Sequence, residues 1–317
     1  MTELPIIDIA APGAAAALGR SLEEIGFAYI AGHGVPQNVI DAVFAASRAF
    51  HASPLELKTS LAINAWHRGY MAMASSTVVT SSVARVTRPN LSESLMIMHD
   101  VAPPDVGPPL QGPNQWPAWL PRFQAAIDAY RSEVERVARS IIRLIATALG
   151  LEEAALDRHF AKPTTFLRLL HYPLHPADAG DDQFGSAPHT DYGIVTLLAQ
   201  DAGGGLQVRR RDGGRDGGWI DVTPLPGTFV LNVADMLARW TNDRFVSTPH
   251  RVINNRTGRD RFSLPYFFDT DMDAVIECLP GCAGPGNPPR YAPVRYGDYL
   301  MDRLNKNYDY RKSEAAE

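Results

Sequence analysis

The longest periodic pattern of apolar residues lies between residues 121 and 149. Apolar side chains recur there at steps of three and four residues, and Gly150 provides a stop, so we predict one long helix with a single buried face. The opposite face carries arginines and acidic residues and is expected in solvent. The predicted core positions of this helix are Phe123, Ile127, Tyr130, Val134, Val137, Ile141, Leu144 and Ala148.

After about Thr164 the pattern changes to short apolar segments separated by turn residues, which is typical of a β-sandwich or jelly roll. The predicted strands cover residues 166–172, 193–199, 205–209, 219–222, 228–232, 246–254 and 261–268.

The first 120 residues give a mixed pattern. We predict strands at 4–9 and 27–30, helices at 14–25 and about 38–50, and largely irregular chain with room for one strand at 66–116. A long irregular segment in a compact enzyme is often a lid or binding loop. We therefore expect an N-terminal α/β segment with a lid (1–120), packed on a long helix and jelly-roll core (121–317) as one structural unit.

The amino-acid composition says little about the fold, but it excludes several classes of binding partner. The 317 residues include 30 basic and 35 acidic residues, a net charge of −5, and no long run of one sign, which argues against nucleic acid or an anionic membrane as partner. No apolar stretch reaches membrane-span length, and the N-terminus lacks the pattern of a signal peptide. We expect a soluble, cytoplasmic protein with a small-molecule partner. The two cysteines, Cys278 and Cys282, are interpreted as ordinary loop thiols.

Three residues form a candidate metal site. His189 and Asp191 are two positions apart at the head of a predicted strand, where side chains i and i+2 share one face. His250, in a later predicted strand, can fold back beside them. Two histidines and one carboxylate are the ligand set of non-haem Fe(II) oxygenases.

A candidate anion site accompanies this triad. Arg261 and Ser263 also stand two apart on one predicted strand, and an inward arginine needs an anionic partner that suits its planar fork. Tyr172 is a plausible third donor. A dicarboxylate such as 2-oxoglutarate could bind the metal at one end and Arg261 at the other; the alternative for Arg261 is a salt bridge to a protein acid.

Taken in order, His189-Thr-Asp-Tyr-Gly193, Ser247-Thr-Pro-His-Arg-Val252 and Arg261-Phe-Ser263 resemble the iron- and 2-oxoglutarate-dependent dioxygenases of the isopenicillin N synthase-like family. The opening Leu4-Pro-Ile-Ile-Asp8 and the closing Tyr296-Gly-Asp-Tyr299 match as well. The resemblance implies a distorted double-stranded β-helix around iron, with His189, Asp191 and His250 as ligands. Arg261, Ser263 and Tyr172 would then hold the far carboxylate of 2-oxoglutarate.

Two departures from the family pattern concern the binding sites. Many plant members have asparagine two positions before the tyrosine, whereas this chain has Leu170, so one co-substrate contact is absent or replaced. The acidic motif before the lid is blurred in Asn90-Leu-Ser-Glu-Ser94.

The resemblance implies a dioxygenase that uses Fe(II), 2-oxoglutarate and O2 to oxidise, and most simply to hydroxylate, a small organic metabolite, with release of succinate and CO2. One alternative is an Fe(II) oxidase of the same family that uses no 2-oxoglutarate. Another is a non-catalytic metal-binding jelly roll that senses a ligand. For the substrate side we name Phe166, Arg168, Phe267 or Phe268, Arg85 and Arg88, each of which could equally serve packing or lie on the surface.

Overall fold

The computed structural model of the chain describes residues 3–77, 86–101, 106–107, 109–175, 180, 183–210, 218–253, 255, 258–308 and 310–311. The helices in these ranges are α1 (Ala14–Glu24), α2 (Gln37–His51), α3 (Leu55–Thr59), α4 (Phe123–Ala148), α5 (Asp235–Trp240) and α6 (Tyr296–Asn307), with a 3-10 turn at Asp157–Phe160. The strands are β1 (Ile6–Asp8), β2 (Phe27–Ala31), β3 (Gly69–Met71), β4 (Glu93–Met98), β5 (Thr164–Tyr172), β6 (Ser186–His189), β7 (Val195–Gln200), β8 (Leu206–Arg209), β9 (Trp219–Asp221), β10 (Phe229–Val233), β11 (His250–Val252), β12 (Arg261–Asp269), β13 (Val275–Ile276) and β14 (Val294–Arg295).

These strands form one large and one small sheet, with β13 and β14 as a separate pair. The main sheet has the order β1-β2-β10-β7-β12-β5-β4-β3, and the small sheet has the order β6-β11-β8-β9. Only the β1–β2 pair among these described strands is parallel. The architecture is mainly β with flanking helices, in agreement with the prediction.

The main sheet separates two apolar cores, because successive side chains of a strand point to opposite faces. On the face that we call outer, Leu167 and Leu264 join the buried stripe of α4. On the face that we call inner, Leu170 and Val230 pack with residues of the small sheet such as Val208. The functional side chains of β5 and β12 are therefore enclosed between the two sheets.

The outer face also contains a buried charged cluster, the Glu93 network. Lys58 Nζ lies 2.8 Å from Glu93 Oε2, the ring of His171 is 2.7 Å from Glu93 Oε1, and the hydroxyl of Tyr70 donates to the same carboxylate. Burial acts to raise the pKa of Glu93, but the hydrogen bonds from His171, Lys58 and Tyr70 outweigh it and lower this pKa to about 2. The network ties α3 and β3 to β4 and β5.

The long helix, the first strands and helices, and most strands of the second half are confirmed near their predicted bounds. The prediction for residues 66–116 was wrong in that two strands occur, β3 and β4. All six residues of β4 are buried. The polar residues of β4 made it hard to recognise as a buried strand from the sequence. In the fold, Glu93 is neutralised within its network and Ser94 contacts Arg168.

Further elements differ from the prediction. Strands β6, β13 and β14 and helices α3, α5 and α6 were not predicted, and the predicted strand 246–254 is regular only at β11. Strands β1 to β4 belong to the same sheet as β5, β7, β10 and β12, so the N-terminal region is part of the central sheet. The division at residue 120 stays a prediction. None of the helices within the described ranges is long and apolar enough to cross a membrane.

Candidate metal centre and its two cavities

The two histidines of the triad face each other across the small sheet. His189 ends β6, His250 begins β11, and they are register partners with ring centroids 4.4 Å apart. Nδ1 of His189 lies 2.7 Å from the carbonyl of Ala187, and Nδ1 of His250 lies 3.4 Å from that of Thr248. Donation to these carbonyls leaves each Nε2 free to bind a metal.

Asp191 completes the triad from the turn that follows β6. The expectation that it shares a strand with His189 was wrong, because β6 ends at His189 and the chain bends before β7. Its Oδ1 nevertheless lies 3.8 Å from Nε2 of both histidines. Its Oδ2 accepts hydrogen bonds from Thr196 Oγ1 at 2.6 Å and Asn232 Nδ2 at 2.8 Å. These two donors orient the carboxylate.

The charge states of the triad suit a divalent cation. Burial, followed by the neighbouring His250, lowers the pKa of His189 to about 4, so its ring is neutral at pH 7. Burial acts to raise the pKa of Asp191, but the two histidines and its two hydrogen bonds hold that pKa below the ordinary value. One potential ligand atom from each residue lies within 4.8 Å of the others. The neutral imidazole of His189 and the ionised carboxylate of Asp191, together with Nε2 of His250, could hold one ion and leave further coordination positions open.

A cavity of about 80 Å³, the Arg261 cavity, extends from the triad along the inner face of β5 and β12. Arg261 is 2% exposed, and its guanidinium lies 4.5 Å from the ring centroid of Tyr172. Its Nη2 is 3.4 Å from Gln200 Oε1, whereas Nε and Nη1 are buried without a hydrogen-bond partner. Within the described residues no acid pairs with Arg261, which argues against the salt-bridge alternative. The free donors fit a carboxylate ligand.

Ser263, Tyr172 and Leu170 also line the Arg261 cavity. Arg261 and Ser263 therefore share the inner face, as their spacing predicted. At Leu170 the wall of this cavity is apolar. Among the lining residues, Asn90 and Ser92, which precede β4, have side chains most similar to the asparagine that many plant members carry at this position. Asn90 already accepts the backbone N–H of Ala187 at 2.8 Å and so supports β6.

A second cavity of about 120 Å³, the Arg168 cavity, lies on the other side of the triad. Its walls come from the inner positions of β5 and β12, from residues after β6 and from α6. The two spaces meet at the candidate metal centre and beside Arg168, because both are lined by His189, Asp191, Arg168 and Phe267. The residues that line the second cavity include Phe166, Arg168, Tyr192, Phe267, Asp269, Leu300, Leu304 and Tyr308.

Of the residues predicted for the substrate side, some line the Arg168 cavity and others lie elsewhere. Phe166, Arg168 and Phe267 line the Arg168 cavity. Phe268 does not: it is on the outer face, where its ring stacks on Phe160 at 5.1 Å, because strand alternation places it opposite Phe267. Arg88 is exposed and lines neither cavity. Arg85 lies outside the described residues.

Several residues of the site were not predicted from the sequence. Asn232 carried a signal, since it is the one amide in the apolar strand β10. Tyr192 and Gly193 follow the triad directly. A Cβ at Gly193 would lie 1.7 Å from Asp269 Oδ1, so only glycine fits there. Leu300 and Leu304 carried none, because contact between α6 and this cavity is a long-range property.

Comparison with known proteins agrees with this geometry. The model of the 2OG-Fe(II) oxygenase superfamily matches residues 163–270, and that of the non-haem dioxygenase N-terminal domain from morphine synthesis matches residues 4–119. A 2-oxoglutarate-Fe(II) type oxidoreductase, hxnY, of Emericella nidulans is 35% identical, with 94% of this chain and 86% of that protein covered. The chain belongs to the 2OG-Fe(II) oxygenase superfamily.

Two other relatives extend the comparison. A homoarginine-6-hydroxylase of Oryza sativa is 32% identical, with 92% of this chain and 88% of that protein covered. The crystal structure of a full-length Neurospora crassa protein in complex with alpha-KG and thymine has a TM-score of 0.84 at 28% identity, with 96% of each chain covered. Like its family, this oxygenase uses Fe(II), 2-oxoglutarate and O2. The two alternatives, an oxidase without 2-oxoglutarate and a non-catalytic sensor, are not favoured.

Proposed function

We propose that His189, Asp191 and His250 bind Fe(II), and that the Arg261 cavity holds 2-oxoglutarate with its far carboxylate on Arg261, Ser263 and Tyr172. The observation that carries this assignment is the buried side chain of Arg261, which lines the cavity beside the triad and whose Nε and Nη1 have no hydrogen-bond partner. A buried charge without a partner is costly unless a ligand supplies one.

The reaction proposed for this site is hydroxylation of a small organic metabolite in the Arg168 cavity. In the balanced reaction, 2-oxoglutarate, O2 and a C–H bond of the substrate give succinate, CO2 and a C–OH group. Bound Fe(II) would supply oxygen activation and oxidation of the C–H bond, chemistry that side chains cannot perform. A homologue named a hydroxylase supports this outcome. The cytoplasmic location expected above stays a prediction.

The side chains have positioning roles in this proposal. Asp191 keeps its charge and its orientation through Thr196 and Asn232. The imidazoles of His189 and His250 keep their Nδ1 protons on backbone carbonyls and present Nε2. Arg261 fixes the far end of the co-substrate in a buried cavity, so its reactive end meets the triad in one orientation.

The test is an anaerobic titration of the purified protein with Fe(II) and 2-oxoglutarate, followed by the visible absorbance band of the chelate and then by succinate formed in air. The wild-type protein should give the band and release one succinate for each 2-oxoglutarate consumed. Asp191→Ala should abolish both, whereas the matched surface variant Asp128→Ala should keep both. A normal band in Asp191→Ala would overturn the assignment.

A further inference from the structure

Arg168, on β5, is a second arginine on the inner face of the main sheet besides Arg261 on β12, and none of the described residues neutralises its charge. Its Nε donates to Ser94 Oγ at 2.9 Å, and its Nη2 lies 3.9 Å from Met71 Sδ. Nη1 has no partner in the part of the chain that the structure describes. Over the same residues, no carboxylate lies within 4.0 Å of this guanidinium. The side chain is held in place, but its charge has no counterion.

Arg168 lines both cavities, but its two side-chain contacts draw the guanidinium towards β3 and β4. Ser94 belongs to β4 and Met71 to β3, so the side chain leans away from β12, the strand that carries Arg261. Its neighbours there, Met96 and His67, line the Arg168 cavity and not the Arg261 cavity. Burial first, and then several arginines, lower the pKa of His67 to about 3, so this ring adds no charge at pH 7.

The rest of the cavity is aromatic and small. Phe166 and Phe267 meet edge to face with centroids 6.3 Å apart, and Tyr192 and Tyr308 contribute further rings. The volume of about 120 Å³ is slightly below the roughly 150 Å³ of a cavity that accepts benzene. Such walls favour a flat ring, and the uncompensated guanidinium favours an anionic substituent that accepts two parallel hydrogen bonds.

Asp269 is the acidic residue of this cavity besides the triad. It accepts the backbone N–H of Ile194 at 2.6 Å and lies against Gly193. Its carboxyl group is therefore engaged with the turn after the triad, and it forms no ion pair with Arg168 within the described ranges.

We propose that the substrate is a ring-sized planar anion, such as an aromatic or heteroaromatic carboxylate, whose negative group pairs with Arg168. This proposal rests on the function proposed above and names the substrate class of the same site. The ring lies among Phe166, Tyr192 and Phe267, beside His189 and Asp191. The anionic group is thereby kept away from the metal centre, and a ring C–H bond faces it.

The experiment measures binding of simple probes to the protein loaded with Fe(II) and 2-oxoglutarate without oxygen, by titration calorimetry. The probes are benzoate, its neutral isostere benzamide, the cation benzylammonium and the non-planar anion cyclohexanecarboxylate. Benzoate should bind at least about tenfold more tightly than benzamide and benzylammonium, since one ion pair of this kind contributes more than about 1.4 kcal/mol. It should also bind more tightly than cyclohexanecarboxylate, which can form the same ion pair but whose ring is too thick to pack flat against the aromatic walls. Equal binding of benzoate and benzamide, tighter binding of benzylammonium, tighter or equal binding of cyclohexanecarboxylate, or no binding of any probe up to about 10 mM would overturn the proposal.

Arg168→Gln should remove the preference for benzoate over benzamide, and the matched surface variant Arg122→Gln should keep it. In Arg168→Gln the 2-oxoglutarate concentration that half-saturates the visible band should change less than about threefold. A large shift in that concentration with an unchanged benzoate preference would mean that Arg168 serves the co-substrate, and would overturn the proposal.

The two proposals fail in different ways. A wild-type protein that shows no visible band but still prefers benzoate would contradict the co-substrate assignment and support the role of Arg168. A normal band without any preference for benzoate would contradict the role of Arg168 alone.

Discussion

The two faces of the main sheet handle buried charge in opposite ways. On the outer face, Glu93 is enclosed by Lys58, Tyr70 and His171, so each charge meets another inside the protein. On the inner face, Arg261 keeps two donors without a partner, and the triad gathers three ligand atoms around a space. His171 and Tyr172 are consecutive residues of β5 that belong to these different regions.

This difference separates residues that stabilise the fold from residues that bind ligands. Burial alone does not distinguish the two faces, since Glu93 and Arg261 are both almost inaccessible to solvent, at 6% and 2% exposure. The distinguishing property is hydrogen bonding: the carboxylate of Glu93 has partners within the protein, whereas the guanidinium of Arg261 keeps two donors that need a ligand. Mutations on the outer face should therefore reduce the free energy of unfolding, and those on the inner face should reduce ligand affinity.

The largest effect on stability is expected for Glu93→Ala. Removing this carboxylate leaves the buried charge of Lys58 without a counterion, and we expect a loss of about 3–5 kcal/mol in the free energy of unfolding by urea titration. The double variant Lys58→Met/Glu93→Leu removes both charges and should recover much of this loss. A loss below about 1 kcal/mol in Glu93→Ala would erase the contrast between the faces.

Arg261→Met, on the inner face, should weaken co-substrate binding and leave the stability of the fold nearly unchanged, the reverse of Glu93→Ala. The 2-oxoglutarate concentration that half-saturates the visible band should rise roughly 30-fold to several thousand-fold, because breaking a buried charge contact costs about 2–5 kcal/mol. Methionine keeps the aliphatic packing on Tyr172, so the free energy of unfolding without ligands should not fall by more than about 1 kcal/mol. A variant that unfolds easily yet binds 2-oxoglutarate normally would reverse the assignment.

The pH dependence of stability should sharpen the description of the outer face. The pKa of Glu93 is lowered in the folded protein from 4.5 to about 2, so its ionised form stabilises the fold. That contribution, about 3 kcal/mol, is complete above about pH 4.5 and is lost as the pH falls towards 2. The difference in unfolding free energy between wild type and Glu93→Gln should accordingly shrink below about pH 4.5. A difference that stays constant down to about pH 3.5 would be inconsistent with the lowered pKa.

Ser263→Ala should have the smallest effect. Loss of one hydroxyl donor to a carboxylate costs about 1.5 kcal/mol, or about a tenfold higher half-saturating concentration of 2-oxoglutarate. Ser247→Ala, which removes a hydroxyl bound to Asp235 outside both cavities, is the matched control and should leave this concentration unchanged. An effect of Ser263→Ala as large as that of Arg261→Met would mean that the hydroxyl, and not the guanidinium, dominates co-substrate binding.

Strand alternation explains what the sequence could predict. Counting in twos from Arg261 places Ser263, Phe267 and Asp269 on one face, and the structure has them there. The same count excludes Phe268, so that error was avoidable. Asp191 reaches its position without the strand that was predicted for it, because the chain bends after β6 and hydrogen bonds from Thr196 and Asn232 orient its carboxylate.

The substrate side could not be predicted in this way. Leu300, Leu304 and Tyr308 come from α6 and the residue after it, more than 100 residues from the triad histidine His189. An amphipathic pattern predicts that a helix has a buried face, but it does not say against which cavity that face packs. The charge on Arg168 was visible in the sequence; the lack of a counterion was not.

The pairing of β5 with β12 has a consequence for insertions and deletions. Both binding sites are built from alternate positions of these two nine-residue strands. Losing one residue within β12 would turn Arg261 and Ser263 towards the helices and bring Phe262 into the cavity. Length changes are therefore barred from the strands that carry both sites, whereas the segment from β3 to β4 and helix α6 can vary without shifting that register. New substrate preferences in such a scaffold should arise by substitution along the strands and by remodelling of those two flanking segments.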